Sequence, residues 1–453
     1  MKNFKGSFDL TEGSIVKKII IVAAPIMGTQ FLQMAYNLTD MFWLGRLGSF
    51  SVAASGAAGM YMWLSMGFLF IGRMGAEIGV AQSLGRGDKK GAIDFLRNAL
   101  FINLLLGAFC GGAFIFLPKL LTSFFPIGEA AVLDDAAAYL RIVGFGIIPA
   151  FVSGVLSGTF NAAGNSRVPF MINSVGLVCN VALDPLCILT LGLGIRGAAY
   201  ATIFAQSLVC VLMLIAIKRF KTRPFENFRF RFKPDSKKIA RILKWSVPIG
   251  LESLFFCFLS MLSHRIEARF GPAVFAAGKI GVQIESLSWL IGGGFGSALV
   301  AFIGQNYGAG KTERIAKAVK LSLGMMAVWG ALIVVFFLTA GKYVFLLFLP
   351  NPEIAELGKH YLWIFAAAQI PMNIEAVLSG TFKGRGKTIP PSAVSIASNV
   401  MKPILALALS RSSLGIYGVW AGVAAGDVLR GACLFIWYRI DGGRRPPGIL
   451  SVD

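Results

Sequence analysis

The residues of this chain best suited to chemistry lie on one face of its first apolar segment. Gln33, Tyr36, Asn37 and Asp40 are spaced i, i+3, i+4 and i+7, so a helix would carry all four on one side. A carboxylate at mid-bilayer costs about 2.5–3.5 kcal/mol, so Asp40 should face a cavity or a partner. Buried there, Asp40 could take up and release a proton. The alternative is a capping or interfacial residue near the end of the segment.

A second polar face occurs on the fifth apolar segment, where Asn173, Asn180 and Asp184 are spaced i, i+7 and i+11. The sixth segment adds Thr202 and Gln206, one helical turn apart. Together with the carboxylate of the first segment, these oxygens could ligate a hard monovalent cation. The two carboxylates could instead share a proton, because like charges close together cannot both ionise cheaply. Separate polar contacts between helices are the remaining alternative.

Pro25 precedes Asp40 by about four turns of the same predicted helix. Proline removes a backbone hydrogen bond and permits a kink. The sequence leaves open whether this is a static bend or a hinge that responds to Asp40. We predict that a substrate cavity is lined by Gln33, Tyr36, Asn37, Tyr139, Asn173 and Gln206.

The composition predicts that these residues lie in an integral membrane protein. Hydrophobic residues make up 56% of the 453-residue chain, against about 45–50% in a soluble domain, and only 14% are charged. The net charge of +21 is concentrated between apolar stretches, which fits the positive-inside rule and excludes a nucleic-acid-binding domain. Two histidines and six cysteines without a CxxC pair argue against a metalloenzyme or a disulfide framework.

Twelve continuously apolar segments predict an all-α integral membrane protein of two pseudo-symmetric six-helix lobes. Lys and Arg enrich the even-numbered connections, so both termini should be cytoplasmic in a plasma-membrane protein. The predicted spans are 15–44, 52–82, 92–118, 132–157, 168–190, 196–218, 242–265, 273–305, 317–340, 357–382, 390–411 and 417–438.

The chain repeats itself at an offset of 223 residues, which slips by one further along. The matching positions are Pro25 with Pro248, Gly48 with Gly271, Gln82, Gly85 and Gly87 with Gln305, Gly308 and Gly310, and Ser157–Phe160 with Ser379–Phe382. Such a duplication is typical of secondary transporters. We predict an N-terminal lobe over 1–220, a basic cytoplasmic linker over 221–241 that lies near anionic lipids, and a C-terminal lobe over 242–453, as a parallel repeat.

The halves differ in their acidic residues. Asp40 has Ser263 as its counterpart, and Asp184, before Pro185, has Lys402, before Pro403. Since a shared scaffold would keep stabilising features in both copies, loss of the acids from one copy suggests that they serve coupling. Glu252 and Glu375 remain in the second half as candidates to line the cavity.

These features resemble the multidrug and toxic compound extrusion (MATE) family over essentially the whole chain, and its DNA-damage-inducible F branch in particular. The resemblance rests on the twelve spans, the basic linker, the connections Gly85-Arg86-Gly87 and Gly308-Ala309-Gly310, and the first-lobe set Asp40, Asn180, Asp184 and Thr202 with Pro25. In this family that set forms the cation site and Pro25 matches the bending proline. Phe256 and Met372 stand where relatives carry second-lobe acids.

The resemblance implies an antiporter that expels amphipathic, often cationic organic compounds in exchange for H+ or Na+, with no enzyme activity and no cofactor beyond the coupling ion. A Na+ site would use Asp40, Asn180, Asp184 and Thr202. We expect the protein to be a monomer whose partners are small-molecule substrates and membrane lipids. The alternatives are a lipid-linked oligosaccharide flippase, which would need a cationic cavity, and a membrane enzyme, for which the sequence offers no convergent nucleophile or metal set.

Overall fold

The computed structural model describes residues 9–124, 130–219, 234–348 and 351–442. In these ranges the regular structure is entirely helical, with fourteen α-helices, a π turn over Leu186–Thr190 and a 3-10 turn over Ala268–Phe270. The α-helices are α1 Ile15–Leu47, α2 Ser49–Gly85, α3 Lys89–Phe116, α4 Pro118–Thr122, α5 Ala130–Gly144, α6 Ile147–Ala162, α7 Arg167–Pro185, α8 Gly194–Arg219, α9 Ser236–Glu267, α10 Pro272–Gly308, α11 Thr312–Phe348, α12 Pro352–Gly384, α13 Ile389–Ser410 and α14 Ile416–Gly442.

Eleven of these helices are long and apolar enough to cross a membrane, and a bent pair brings the number to twelve if it forms one span. The predicted all-α membrane fold is thereby confirmed. Most helices extend several residues beyond the predicted apolar segments, because the polar ends of a span still satisfy their backbone hydrogen bonds within the helix.

The fourth predicted span differs from a simple helix. It consists of α5 and α6, which meet at an angle of 50°. Phe145 lies between two glycines at the break, and Pro149 follows in the first turn of α6. Because proline has no N–H to bond the carbonyl four residues earlier, the helical hydrogen-bond ladder is weakened at this point, where the two helices meet at an angle.

The chain groups into two compact units by contact. The first unit comprises Met1–Leu254, Ser297–Ile315 and Lys383–Gly386, and the second comprises Phe255–Gly296, Ala316–Phe382 and Lys387–Asp453. The first unit therefore draws on both halves of the sequence, whereas all segments of the second unit come from the predicted C-terminal half. Residues 220–233, most of the predicted basic linker, lie outside the described ranges, and the lobe boundaries stay predictions.

Each unit has its own apolar core. In the first unit, Phe95, Leu96 and Phe160 are almost fully buried where α2, α3 and α6 pack together. In the second unit, Phe337 and Phe345 are each 1% exposed and pack in one cluster with residues of α10, α12 and α14. These cores fix the helices that carry the polar side chains.

A close helix crossing in the first unit depends on glycine. A Cβ placed on Gly111 of α3 would lie 2.7 Å from the carbonyl oxygen of Gly144, at the end of α5. A Cβ placed on the next residue, Gly112, would meet no atom nearer than Phe116 Cδ2, at 4.0 Å. The same helix thus offers a crowded glycine and an uncrowded one side by side.

We predict that Gly111→Ala lowers the free energy of unfolding by about 1–3 kcal/mol, because the added methyl meets backbone that cannot move aside cheaply. Gly112→Ala serves as the control and should leave stability unchanged or raise it slightly, since alanine is the better helix former. Thermal unfolding of both purified variants in detergent measures the difference. Equal melting temperatures would contradict the close crossing.

Candidate functional site

The first unit brings polar side chains from four helices to one place. Helix α1 runs unbroken past Pro25, whose carbonyl accepts a hydrogen bond from Thr29 Oγ1 at 3.0 Å. Asp40 lies seven residues before the end of this helix. Asn180 and Asp184 come from the last turns of α7, Thr202 from α8 and Tyr139 from α5. The site is therefore built from helices packed in a single unit.

Asp184 occupies a special position in its helix. It is followed by Pro185, the last residue of α7, after which the chain continues as a π turn. Single π turns are frequent at functional sites because they free backbone groups and redirect side chains. Asn180, one turn earlier, donates a hydrogen bond from Nδ2 to Asp184 Oδ1 at 3.2 Å. Both side chains are fully buried.

Asp40 lies against this pair, with its side chain beside those of Asp184 and Asn180. The two carboxyl groups are close enough to repel each other when both are ionised. Tyr36 and Tyr139 both approach the hydroxyl of Thr202. We call this set the carboxyl cluster, and its members are Tyr36, Asp40, Tyr139, Asn180, Asp184 and Thr202.

The carboxyl cluster has more acceptors than donors. In the described part of the chain, six buried oxygens in or beside it have no hydrogen-bond partner: Tyr36 Oη, Asp40 Oδ1, Asn180 Oδ1, Asp184 Oδ2, Thr202 Oγ1 and Gln206 Oε1. An unsatisfied buried polar group costs about 1–3 kcal/mol. A proton shared by the carboxyl groups, or a hard cation bound among these oxygens, would remove that cost. Oxygen ligands of this kind can hold either one.

The remaining residues predicted to line a cavity do not all join the cluster. Gln33 and Asn37 have exposed side chains on α1. Asn173 is half-buried and donates to the carbonyl of Pro169 in its own helix at 2.7 Å. Gln206 is half-buried, with Oε1 close to Gly146 at the break between α5 and α6.

Both glutamates proposed to line a cavity lie beside cations. Glu252 Oε2 is 3.8 Å from Lys383 Nζ in the first unit, and Glu375 Oε2 is 3.7 Å from Arg430 Nη2 in the second. Glu77, which the sequence analysis did not single out, is 1% exposed and interacts with Arg73, one turn earlier on α2. The sequence signal for Glu77 is an ionisable pair four residues apart inside an apolar span.

The second unit contains a buried ion network that sequence reasoning missed. Lys402 Nζ lies 2.7 Å from Asp427 Oδ1, and both side chains are largely buried. Arg430 Nη2 is 3.4 Å from the same oxygen. Glu285 accepts a hydrogen bond from the hydroxyl of Tyr361 at 3.3 Å. Lys402, the counterpart of Asp184, is thus neutralised by a neighbouring helix, whereas the carboxyl groups of the first unit face each other.

A family model described as MatE matches the chain twice, over residues 25–186 and 248–407, which is more than half of it. The two matches begin at Pro25 and Pro248, the same pair that opens the internal repeat.

Relatives and solved structures extend over nearly the full length. The chain is 25% identical over 450 residues to "Probable multidrug resistance protein NorM" of Thermotoga maritima, covering 96% of this chain and 94% of that protein. It is 27% identical over 436 residues to "Probable multidrug resistance protein YpnP" of Bacillus subtilis, covering 96% and 97%. A crystal structure of MATE in the bent conformation matches with a TM-score of 0.89 at 22% identity, covering 96% and 97%, and so shares the fold.

We predict that Lys402→Met lowers the free energy of unfolding by about 1.5–3 kcal/mol, because the buried carboxylate of Asp427 loses its shorter ion pair and keeps only Arg430 at 3.4 Å. The double variant Lys402→Met/Asp427→Leu should cost far less than the sum of its single variants. Lys119→Met, which breaks the exposed pair between Lys119 and Asp134, is the control and should change little. Thermal unfolding in detergent measures the two single variants Lys402→Met and Asp427→Leu, the double variant and the control. If the losses of stability in the two single variants add up in the double variant, the buried pair is contradicted.

Proposed function

This chain belongs to the MATE family of membrane transporters, and we propose that it is a multidrug efflux antiporter. In this proposal it expels amphipathic, often cationic organic compounds in exchange for H+ or Na+ by alternating access. The carboxyl cluster carries the proposal, because the fully buried Asp184 and the half-buried Asp40 lie side by side as acidic groups that a cation can neutralise. We further propose that the protein works as a monomer in the plasma membrane with both termini in the cytoplasm.

The mechanism follows from competition for the same negative charge. When the site is open to the outside, a coupling cation neutralises Asp40 and Asp184, and the bound organic cation leaves. Asn180 holds the Asp184 carboxyl group in place through its hydrogen bond of 3.2 Å, and Pro25 allows α1 to bend as the charge on Asp40 changes. The emptied carrier then turns inward and releases the coupling cation.

The energy available is adequate for such a carrier. One charge moving through about 150 mV supplies about 3.5 kcal/mol, enough for a gradient of roughly a few hundred-fold of a neutral substrate. Exchange of one organic cation for one coupling cation is electroneutral and draws only on the concentration ratio of the coupling ion. A nucleotide is not required, and the sequence carries no GxxxxGK[ST] motif.

The geometry favours H+ over Na+ as the coupling ion. Two carboxyl groups that lie against each other are held together most simply by a shared proton. Lys402 argues against a flippase for an anionic lipid-linked sugar, because its charge is already matched by Asp427 at 2.7 Å.

We predict that Asp40→Asn abolishes uptake of an organic cation such as ethidium into everted vesicles energised by an acid interior, because an amide cannot exchange a proton. Asp134→Asn removes an exposed carboxylate, the partner of Lys119, and is the control that should transport like the unmodified protein. Uptake is followed by dye fluorescence. Full gradient-driven uptake by Asp40→Asn would refute the coupling role of this residue.

The identity of the ion is tested in proteoliposomes with a pH gradient and a Na+ gradient imposed separately. We expect the pH gradient alone to drive uptake and the Na+ gradient at equal pH to give none. Thr202→Val, which removes a hydroxyl oxygen at nearly constant volume, should preserve proton-driven uptake, because its hydroxyl would ligate Na+ but would not carry the proton. Uptake driven by Na+ and lost in Thr202→Val would identify a Na+ antiporter instead.

A further inference from the structure

Two buried glutamines repeat between the halves of the sequence and have no role in the carboxyl cluster. Gln82 lies near the end of α2 and Gln305 near the end of α10, and they are 5% and 3% exposed. Both belong to the first unit. An amide buried in a membrane helix needs a specific partner, so each glutamine requires an explanation.

The partners of the two glutamines are also repeat counterparts. Gln82 Nε2 donates to the carbonyl oxygen of Gly384 at 3.0 Å, and Gln305 Nε2 donates to that of Ala162 at 2.7 Å. Ala162 ends α6 and Gly384 ends α12, two residues after the matching tetrapeptides Ser157–Phe160 and Ser379–Phe382. The last carbonyls of a helix have no partner within the helix. Each half of the sequence therefore caps a helix of the other.

The glycines of the repeat allow the bonds to form. A Cβ on Gly85 would collide with the backbone carbonyl of Gln305, and a Cβ on Gly308 would collide with that of Gln82. The ends of α2 and α10 thus touch through backbone, and the contact is as reciprocal as the glutamine bonds. This explains why Gly85 and Gly308 recur with the glutamines at the same spacing.

The segment before α1 closes over the same place. Gln305 Oε1 accepts a hydrogen bond from the backbone N–H of Leu10 at 3.0 Å, and Asn306 Nδ2 donates to the carbonyl of Leu10 at 3.1 Å. Arg314 Nη1 donates to the carbonyl of Gly13 at 2.8 Å. Leu10 is 2% exposed. Gln305 therefore uses both its donor and its acceptor, and it joins α10 to the end of α6 and to the segment before α1.

We propose that Gln82 and Gln305 form a reciprocal latch that closes the end of the molecule predicted to be cytoplasmic, and that both bonds release in a single opening step. The reason is geometric. The ends of α2 and α10 touch through their backbones, and each end also holds one of the two glutamine bonds. Either helix end can therefore separate from its partners only if both bonds break. The link to transport rests on the proposed function, since alternating access requires this end to open, but the latch itself does not.

The test places a reporter at one bond and a mutation at the other. Ala163→Cys, in a background without native cysteines, puts a thiol beside Ala162 at a position that is 5% exposed. Its rate of reaction with a membrane-impermeant maleimide is measured in nanodiscs, with neither substrate nor ion gradient. We expect Gln82→Leu, which removes the other bond, to Gly384, to raise this rate roughly two- to tenfold, as loss of one hydrogen bond implies. Gln305→Leu should do the same.

Two controls separate release of the latch from general loosening. Gln369→Leu removes another fully buried glutamine, whose Nε2 bonds to Phe365 of its own helix at 3.3 Å, and should leave the rate unchanged. A background that keeps only the native Cys110, 5% exposed in α3, should stay unreactive in every variant. The proposal is overturned if Gln82→Leu does not change the maleimide reaction rate of Ala163→Cys, or if the rate measured in either control rises by the same factor. Failure of the antiport proposal would leave these rates as expected.

Discussion

Two neighbouring carboxyl groups impose the main electrostatic constraint on the first unit: Asp184 is fully buried, and Asp40 is half-buried beside it with its Oδ1 inaccessible to solvent. Neither can stay ionised there cheaply without a cation, and both cannot be ionised together. The surroundings supply acceptors and hydroxyl groups but none of the basic side chains that neutralise acids elsewhere in the described chain. In the proposed mechanism, a mobile cation supplies the positive charge that the described surroundings of the two carboxyl groups do not provide.

The second half of the sequence shows how the same scaffold behaves when the constraint is removed. Lys402 takes the place of Asp184 before the shared proline, and Asp427 lies 2.7 Å from its amine. Each charge of this pair is balanced by the other, so the pair needs no external ion, and removing one partner alone would leave a buried charge uncompensated. The two halves of the sequence thus differ in charge at this position: the first places two acids together, and the second places a lysine beside an acid.

Much of this arrangement could be predicted from the sequence, and the exceptions have physical causes. Apolar length determined the spans, and helical spacing grouped Asn180 with Asp184 and Tyr36 with Asp40. The break at Phe145 was not anticipated, because a proline near a glycine pair ends a helix only when packing favours the bend. The pair between Lys402 and Asp427 joins different helices, and periodicity within one helix cannot reveal it. Exposure of Gln33 and Asn37 likewise depends on which helices pack against α1.

If the carboxyl cluster exchanges a bound proton for the substrate, as proposed, then binding of the substrate must release protons into solution. Purified protein in weakly buffered detergent solution is mixed with an organic cation, and the pH is followed with an indicator dye. The account predicts that binding releases protons from the unmodified protein and that Asp40→Asn binds with much less release. Binding without any proton release, or equal release from the variant, would contradict it.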